Sequence, residues 1–177
     1  MRRSIPRWQT AGFLFVSVLG TFLHFLFDLT GGSPLAACIS AVNESIWEHL
    51  KLLYVPMVIF ALLEYFFWGR DQKNFWPIKL RGILAALALI PVLYYTYTGI
   101  FGRNVDWLNI ALFFLVAALV YYLETRWFSH PPLWLLPRWA AVILIAILGI
   151  LFVTLTFRTP HIPLFQDPAT TLYGFSP

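Results

Sequence analysis

His24 and Asp28 stand four residues apart, a spacing that puts both side chains on one face of a helix. Downstream, the stretch "SAVNESIWEHLKLLYVP", Ser40 to Pro56, gathers Asn43, Glu44, Ser45, Glu48, His49 and Lys51 within nine residues. Imidazoles and carboxylates together suit two chemistries: ligation of a divalent transition metal such as zinc, iron or manganese, and general acid–base work. A lysine beside them would stabilise an anionic substrate or a developing negative charge. His24, Asp28 and His49 are therefore the candidate metal ligands, with Glu44, Glu48 and Lys51 as the candidate catalytic groups. Their spacing matches no diagnostic metal motif. There is no H-E-x-x-H, and Glu44 to His49 is a five-residue step rather than the E-x-x-H of carboxylate-bridged diiron sites. A bis-histidine haem through His24 and His49 has no flanking pattern to support it.

The surroundings make this gathering of polar groups unusual. The 177-residue chain is 60% hydrophobic, 19% aromatic and only 11% charged, against roughly 25% charged in soluble domains. Such a composition reads as an integral membrane protein. Four uncharged runs, 8–27, 82–102, 107–123 and 139–157, each have the length of a transmembrane helix. A fifth, 46–68, is long enough to span but polar at both ends. The expected architecture is an all-α bundle of five spans, about 8–29, 46–68, 80–101, 107–124 and 138–157, forming one transmembrane domain over 1–177. The first run lacks a small-residue cleavage site and is expected to stay as a span. The single cysteine, Cys38, leaves no internal disulfide and no CxxC motif.

Lysine and arginine in the short loops predict the orientation. Arg2, Arg3, Arg7, Arg70, Lys73, Lys79, Arg81, Arg126 and Arg138 fall on one side, and Arg103 and Arg158 on the other. That imbalance places the N-terminus in the cytoplasm and, with five spans, the C-terminus outside. Trp8, Trp68, Trp76, Trp107, Trp127, Trp134 and Trp139 fall near span ends, as interfacial tryptophans do. The cations form no basic face interleaved with exposed aromatics, so nucleic acid is not the expected partner. Membrane lipids are, and nothing in the sequence sets an oligomeric state.

A single helix from Pro34 to Phe67 would run about 51 Å, well past a hydrocarbon core of about 30 Å. Something must interrupt it. Ser45-Ile46-Trp47-Glu48 matches the S-x-x-E capping box, and Ser33-Pro34 is a cap followed by proline at the first helical position. The sequence thus predicts a broken or re-entrant element over 34–44 before the second span. In the bland reading Glu48 caps, Lys51 snorkels and Asn43 closes the short element, which leaves Glu44 and His49 without a role. Asn43-Glu44-Ser45 also fits the glycosylation acceptor pattern, a chance match at a membrane boundary.

The same side of the membrane also receives His24, Asp28, the Tyr95 and Tyr97 end of the third span, the loop "GRNVDWLN" and the tail 158–177. The tail is too apolar for a solvated end. It is expected to dock as an extended lid, with His161 or Asp167 completing the site. Glu64 and Glu124, near the opposite ends of their spans, read as interfacial, and His130 as a solvated loop histidine. Three readings stay open: a hydrogen-bonded structural network, a metal-dependent or acid–base membrane enzyme acting on a lipid-like or small amphiphilic ligand, and binding or transport of a small ion or solute.

The segments "LGTFLHFLFDLTG", "SAVNESIWEHLKLLYVPM", "IPVLYYTYTGIFGRNVDWLNIALFF" and "PHIPLFQDPATTLYGF" together resemble a family of small bacterial multi-pass membrane proteins, domain of unknown function 6512. The resemblance covers most of the chain, including the tail. It implies a bacterial plasma-membrane protein and carries no catalytic residue onto this sequence.

Overall fold

The computed structural model describes residues 5–133 and 136–175. Arg2 and Arg3 of the charge count and Trp134 of the tryptophan set lie outside these residues. Five long helices carry the described chain: α1 (Ile5–Leu29), α3 (Ile46–Phe67), α4 (Phe75–Phe101), α5 (Asp106–Ser129) and α6 (Arg138–Phe157). A four-residue α2 (Pro34–Ala37) precedes α3, and single 3-10 turns lie at Gly69–Asp71 and Pro163–Phe165. No strand is present among the described residues; one isolated antiparallel bridge pairs Gln166 with Tyr173 in the tail. All five long helices are long and apolar enough to cross a bilayer. The chain is an all-α polytopic membrane protein.

Exposed apolar side chains fit that assignment. Val18, Ile100 and Ile150 are each 65% exposed or more, an arrangement that costs free energy in water and nothing against lipid tails. Lipid offers no hydrophobic drive for helices to associate, so close packing must do it. Small residues mark the crossings. A Cβ on Gly20 of α1 would sit 2.6 Å from the Leu52 carbonyl oxygen of α3, so only glycine lets these backbones meet.

α3 is the most buried of the five and packs against α1, α4 and α6. The reason lies in its sequence: Glu48, Lys51 and Glu64 are all buried on it, and ionisable groups at membrane depth face the bundle interior rather than lipid. Between its polar ends the core is apolar, with Val16, Leu53, Met57, Phe60, Val116, Val120 and Ile145 in one cluster.

α4 begins at Phe75, earlier than the expected position near 80. Pro77 lies in its first turn, where proline is tolerated. The extra turn carries Lys79 into the bundle interior, at 2% exposure, so it is not the loop cation of the charge count. Trp76 is likewise buried, against Tyr65 and Phe75, rather than interfacial. Gly102, at φ 65°, terminates α4 in the left-handed conformation that glycine adopts without strain.

Candidate metal centre

The break before α3 is built from side chains that cap backbone groups. Ser33 and Pro34 open α2, though the Ser33 side chain makes no cap bond. After Ala37 the chain turns, with Ser40 Oγ donating to the Ala36 carbonyl at 2.8 Å. Asn43 Oδ1 accepts from Ser45 N at 2.9 Å, and Ser45 Oγ accepts from Glu48 N at 3.4 Å. The serine half of the expected capping box is therefore present. The glutamate half is not: Glu48 Oε2 accepts from Val42 N at 3.1 Å, because its carboxylate is held deeper by a lysine.

This turn projects Glu44 toward two histidines. Glu44 Oε2 lies 3.4 Å from His49 Nε2, and Glu44 Oε1 lies 4.0 Å from His24 Nε2. One ligand atom from each residue falls within 4.8 Å of the others. Metal–ligand bonds near 2.0–2.2 Å set tetrahedral ligand separations of about 3.3 Å, so the shorter contact already fits and the rest need modest contraction.

His49 Nδ1 lies 2.9 Å from the Ser45 carbonyl oxygen. A carbonyl only accepts, so Nδ1 carries the proton and Nε2 of a neutral ring is left with its lone pair toward the Glu44 carboxylate. Two acceptors face each other there, and only a cation between them, a proton on Nε2 or a metal, makes the contact favourable. Backbone-held imidazole is also the arrangement that orients a histidine ligand. The two imidazole rings are 5.2 Å apart. His24 Nδ1 is buried without a partner among the described residues.

A cavity of about 330 Å³ opens beside the trio, where the N-terminus of α3 meets the turn between α4 and α5. Glu44 and His49 line it with Asn104, Asp106, Asn109 and Tyr94 on the polar side. Ile46, Ile90, Leu112 and Phe113 form the apolar side, and Pro168 and Ala169 of the tail complete it.

A profile of the family of unknown function DUF6512 matches residues 1–175. The chain belongs to that family. Comparison with curated proteins and with solved structures finds no match, so no residue role comes to this family member from a relative.

The structure brings His24, Glu44 and His49 together and distributes the other expected site residues elsewhere. Asp28 is exposed at the end of α1 and is not one of the three converging residues. Glu48 and Lys51 form a separate ion pair at 2.6 Å, with the lysine fully buried. Lys51 also donates to the Ala37 carbonyl at 2.8 Å and to Thr156 Oγ1 at 2.9 Å. Its three donors are thus all engaged, and none is left for a substrate. His161 is exposed and stacks against Tyr173, with ring centres 4.7 Å apart.

Asp167 does approach the centre, through backbone. Its Oδ2 accepts from Glu44 N at 3.4 Å, while Oδ1 accepts from Ala169 N at 2.7 Å and Thr170 N at 3.2 Å. Burial pushes the Asp167 carboxyl up, but these N–H groups and the Thr170 hydroxyl outweigh it and hold it below the usual carboxylate range. Asn43 Nδ2 donates to the Gly174 carbonyl at 3.0 Å and Phe175 N to the Thr156 carbonyl at 2.9 Å. Phe165 is buried against Trp47. The tail therefore straps the segment that carries Glu44.

At the opposite end of the bundle Glu64 and Glu124 are fully buried rather than interfacial. Both pair with Lys79, Glu124 at 2.6 Å, and Gln9 Nε2 donates to Glu64 Oε1 at 2.8 Å. Lys79 also lies 5.3 Å from the centre of the Tyr121 ring. One signal for this cluster was available: each charge falls within a turn or so of a span end on the same side, where two acids and one base can neutralise one another.

Proposed function

We propose that the protein is a metal-dependent membrane enzyme whose centre is a divalent transition metal held by His24, Glu44 and His49. The observation that carries this reading is the convergence of the three ligand atoms, with His49 Nδ1 held 2.9 Å from the Ser45 carbonyl oxygen. Two histidines and one carboxylate leave coordination positions open, as catalytic zinc and non-haem iron sites do. Glu44 and His49 also line the cavity, and no fourth His, Cys, Asp or Glu converges with the trio among the described residues. A metal ion held there would supply Lewis acidity and lower the pKa of a bound water toward neutrality. Asp106, on the same cavity wall, is the group available to accept a proton. Transport is less well supported, because an apolar core separates the two polar ends among the described residues.

The substrate class is a small amphiphile or lipid-like molecule entering at the membrane boundary. The loop charges support an N-terminus in the cytoplasm and a centre facing outward, and the family resemblance supports a bacterial plasma membrane. Elemental analysis of protein purified under metal-replete conditions tests the reading. The expected result is about one transition-metal ion per chain, lost in His24→Ala and His49→Ala. Absence of metal together with no titratable binding of zinc, iron(II) or manganese would overturn it.

A further inference from the structure

The cavity beside Glu44 and His49 has one apolar and one polar wall, and we infer from their chemistry that it takes an amphiphile with an uncharged, hydroxyl-bearing head. This rests on the reading that the cavity belongs to the functional site. No lysine or arginine lines it, whereas Glu44 and Asp106 do. The buried lysines are committed elsewhere, Lys51 to Glu48 and Lys79 to Glu64 and Glu124. A phosphate or carboxylate head would therefore meet Asp106 with no lysine or arginine to receive it, the His49 imidazole being already engaged by Glu44, at a boundary where charges are poorly screened. A divalent metal bound at the trio would itself bind an anionic head, so the preference set by the side chains is read in the metal-stripped chain.

Asn104 and Asn109 are neutral and already ordered. Tyr97 Oη donates to Asn109 Oδ1 at 2.5 Å, and Asn109 Nδ2 donates to Asn104 Oδ1 at 2.9 Å. Each carboxamide oxygen thus accepts a bond, while the Asn104 amide hydrogens and one of Asn109 have no partner among the described residues, in a cavity that also carries the carboxylate acceptors Glu44 and Asp106. A hydroxyl both donates and accepts, so it matches such a pairing where a charged head does not. Across the cavity, Ile46, Ile90, Leu112 and Phe113 present the surface for an acyl or prenyl chain. Its volume, about 330 Å³, holds a small head and the start of one chain, at the lower end of the roughly 300–1,000 Å³ typical of ligand pockets.

The test titrates the full chain in detergent micelles, metal-loaded and metal-stripped, with a monoacylglycerol, the lysophosphatidic acid of the same acyl chain, and glycerol, reading binding by native mass spectrometry. In the metal-stripped chain monoacylglycerol is expected to bind at least about tenfold more tightly than lysophosphatidic acid, and glycerol not to displace it; any gain in lysophosphatidic acid binding on loading reads the metal. Asn104→Ala, at an exposed position, should weaken monoacylglycerol binding, and Asp106→Lys should shift the preference toward lysophosphatidic acid. Equal or tighter binding of lysophosphatidic acid by the metal-stripped chain, displacement by glycerol, or no binding of monoacylglycerol would each overturn the inference. Metal content reads the other proposal separately. A chain that holds one metal but fails the lipid test keeps the metal centre and loses the ligand class, and a chain with the lipid preference but no metal does the reverse.

Discussion

His49 faces two oxygens at once: its Nδ1 donates to the Ser45 carbonyl at 2.9 Å, and its Nε2 stands 3.4 Å from Glu44 Oε2. Backbone fixes one nitrogen so that the other is presented to a carboxylate from the preceding turn. His24, from a helix packed alongside α3, brings its Nε2 to 4.0 Å from Glu44 Oε1.

Metal affinity should follow this geometry. Removing Glu44 by Glu44→Gln should weaken binding by at least about 100-fold, a ligand mattering no less than the outer partners that orient it. Asp28→Asn should leave affinity unchanged, because Asp28 is exposed and outside the trio. Calorimetric titration of zinc into stripped protein distinguishes the two. Equal losses would place Asp28 in the ligand set.

Lys51→Met should destabilise the fold by about 3–5 kcal/mol, since it leaves the buried Glu48 carboxylate unpaired. Adding Glu48→Gln in the same chain should recover much of that loss, an expected sign that the lysine has a structural role. Denaturant unfolding in detergent measures both.

Lys79→Met should be still more damaging, because two buried carboxylates then face each other. Glu124→Gln should be tolerated, as it leaves Lys79 paired with Glu64 in a one-to-one pair. Gly82→Val should behave like the lysine change, since a Cβ there would run into the Glu124 carboxylate. Thermal unfolding of the three variants gives the order.

The tail should resist proteolysis until its anchor is removed. Burying a phenylalanine contributes about 1.5–3 kcal/mol, so Phe165→Ala should speed chymotrypsin cleavage at Tyr173 by about tenfold or more. Unchanged cleavage would mean that the backbone bonds to Asn43 and Thr156 hold the tail without it.

A reporter fused at the C-terminus should be extracytoplasmic and one at the N-terminus cytoplasmic, as expected from the loop charges and five spans. Reporters on one side would require an even number of crossings.

The sequence by itself determined the membrane class, the five long helices and the interruption before α3. Each is a local property: hydropathy over about 20 residues, or a cap such as Ser45. It also singled out the polar stretch from Asn43 to Lys51 as the place to look. Which of those residues meet was decided only by tertiary structure. Glu48, Lys51 and Glu44 occupy one short segment, yet α6 brings Thr156 to the first two while α1 brings His24 to the third. Lys79 read as a loop cation because its partners, Glu64 and Glu124, are far away in sequence and become neighbours only when α3, α4 and α5 pack. Local pattern fixes which helix faces can be buried; the helix neighbours fix which charges are neutralised and which stay available for a ligand.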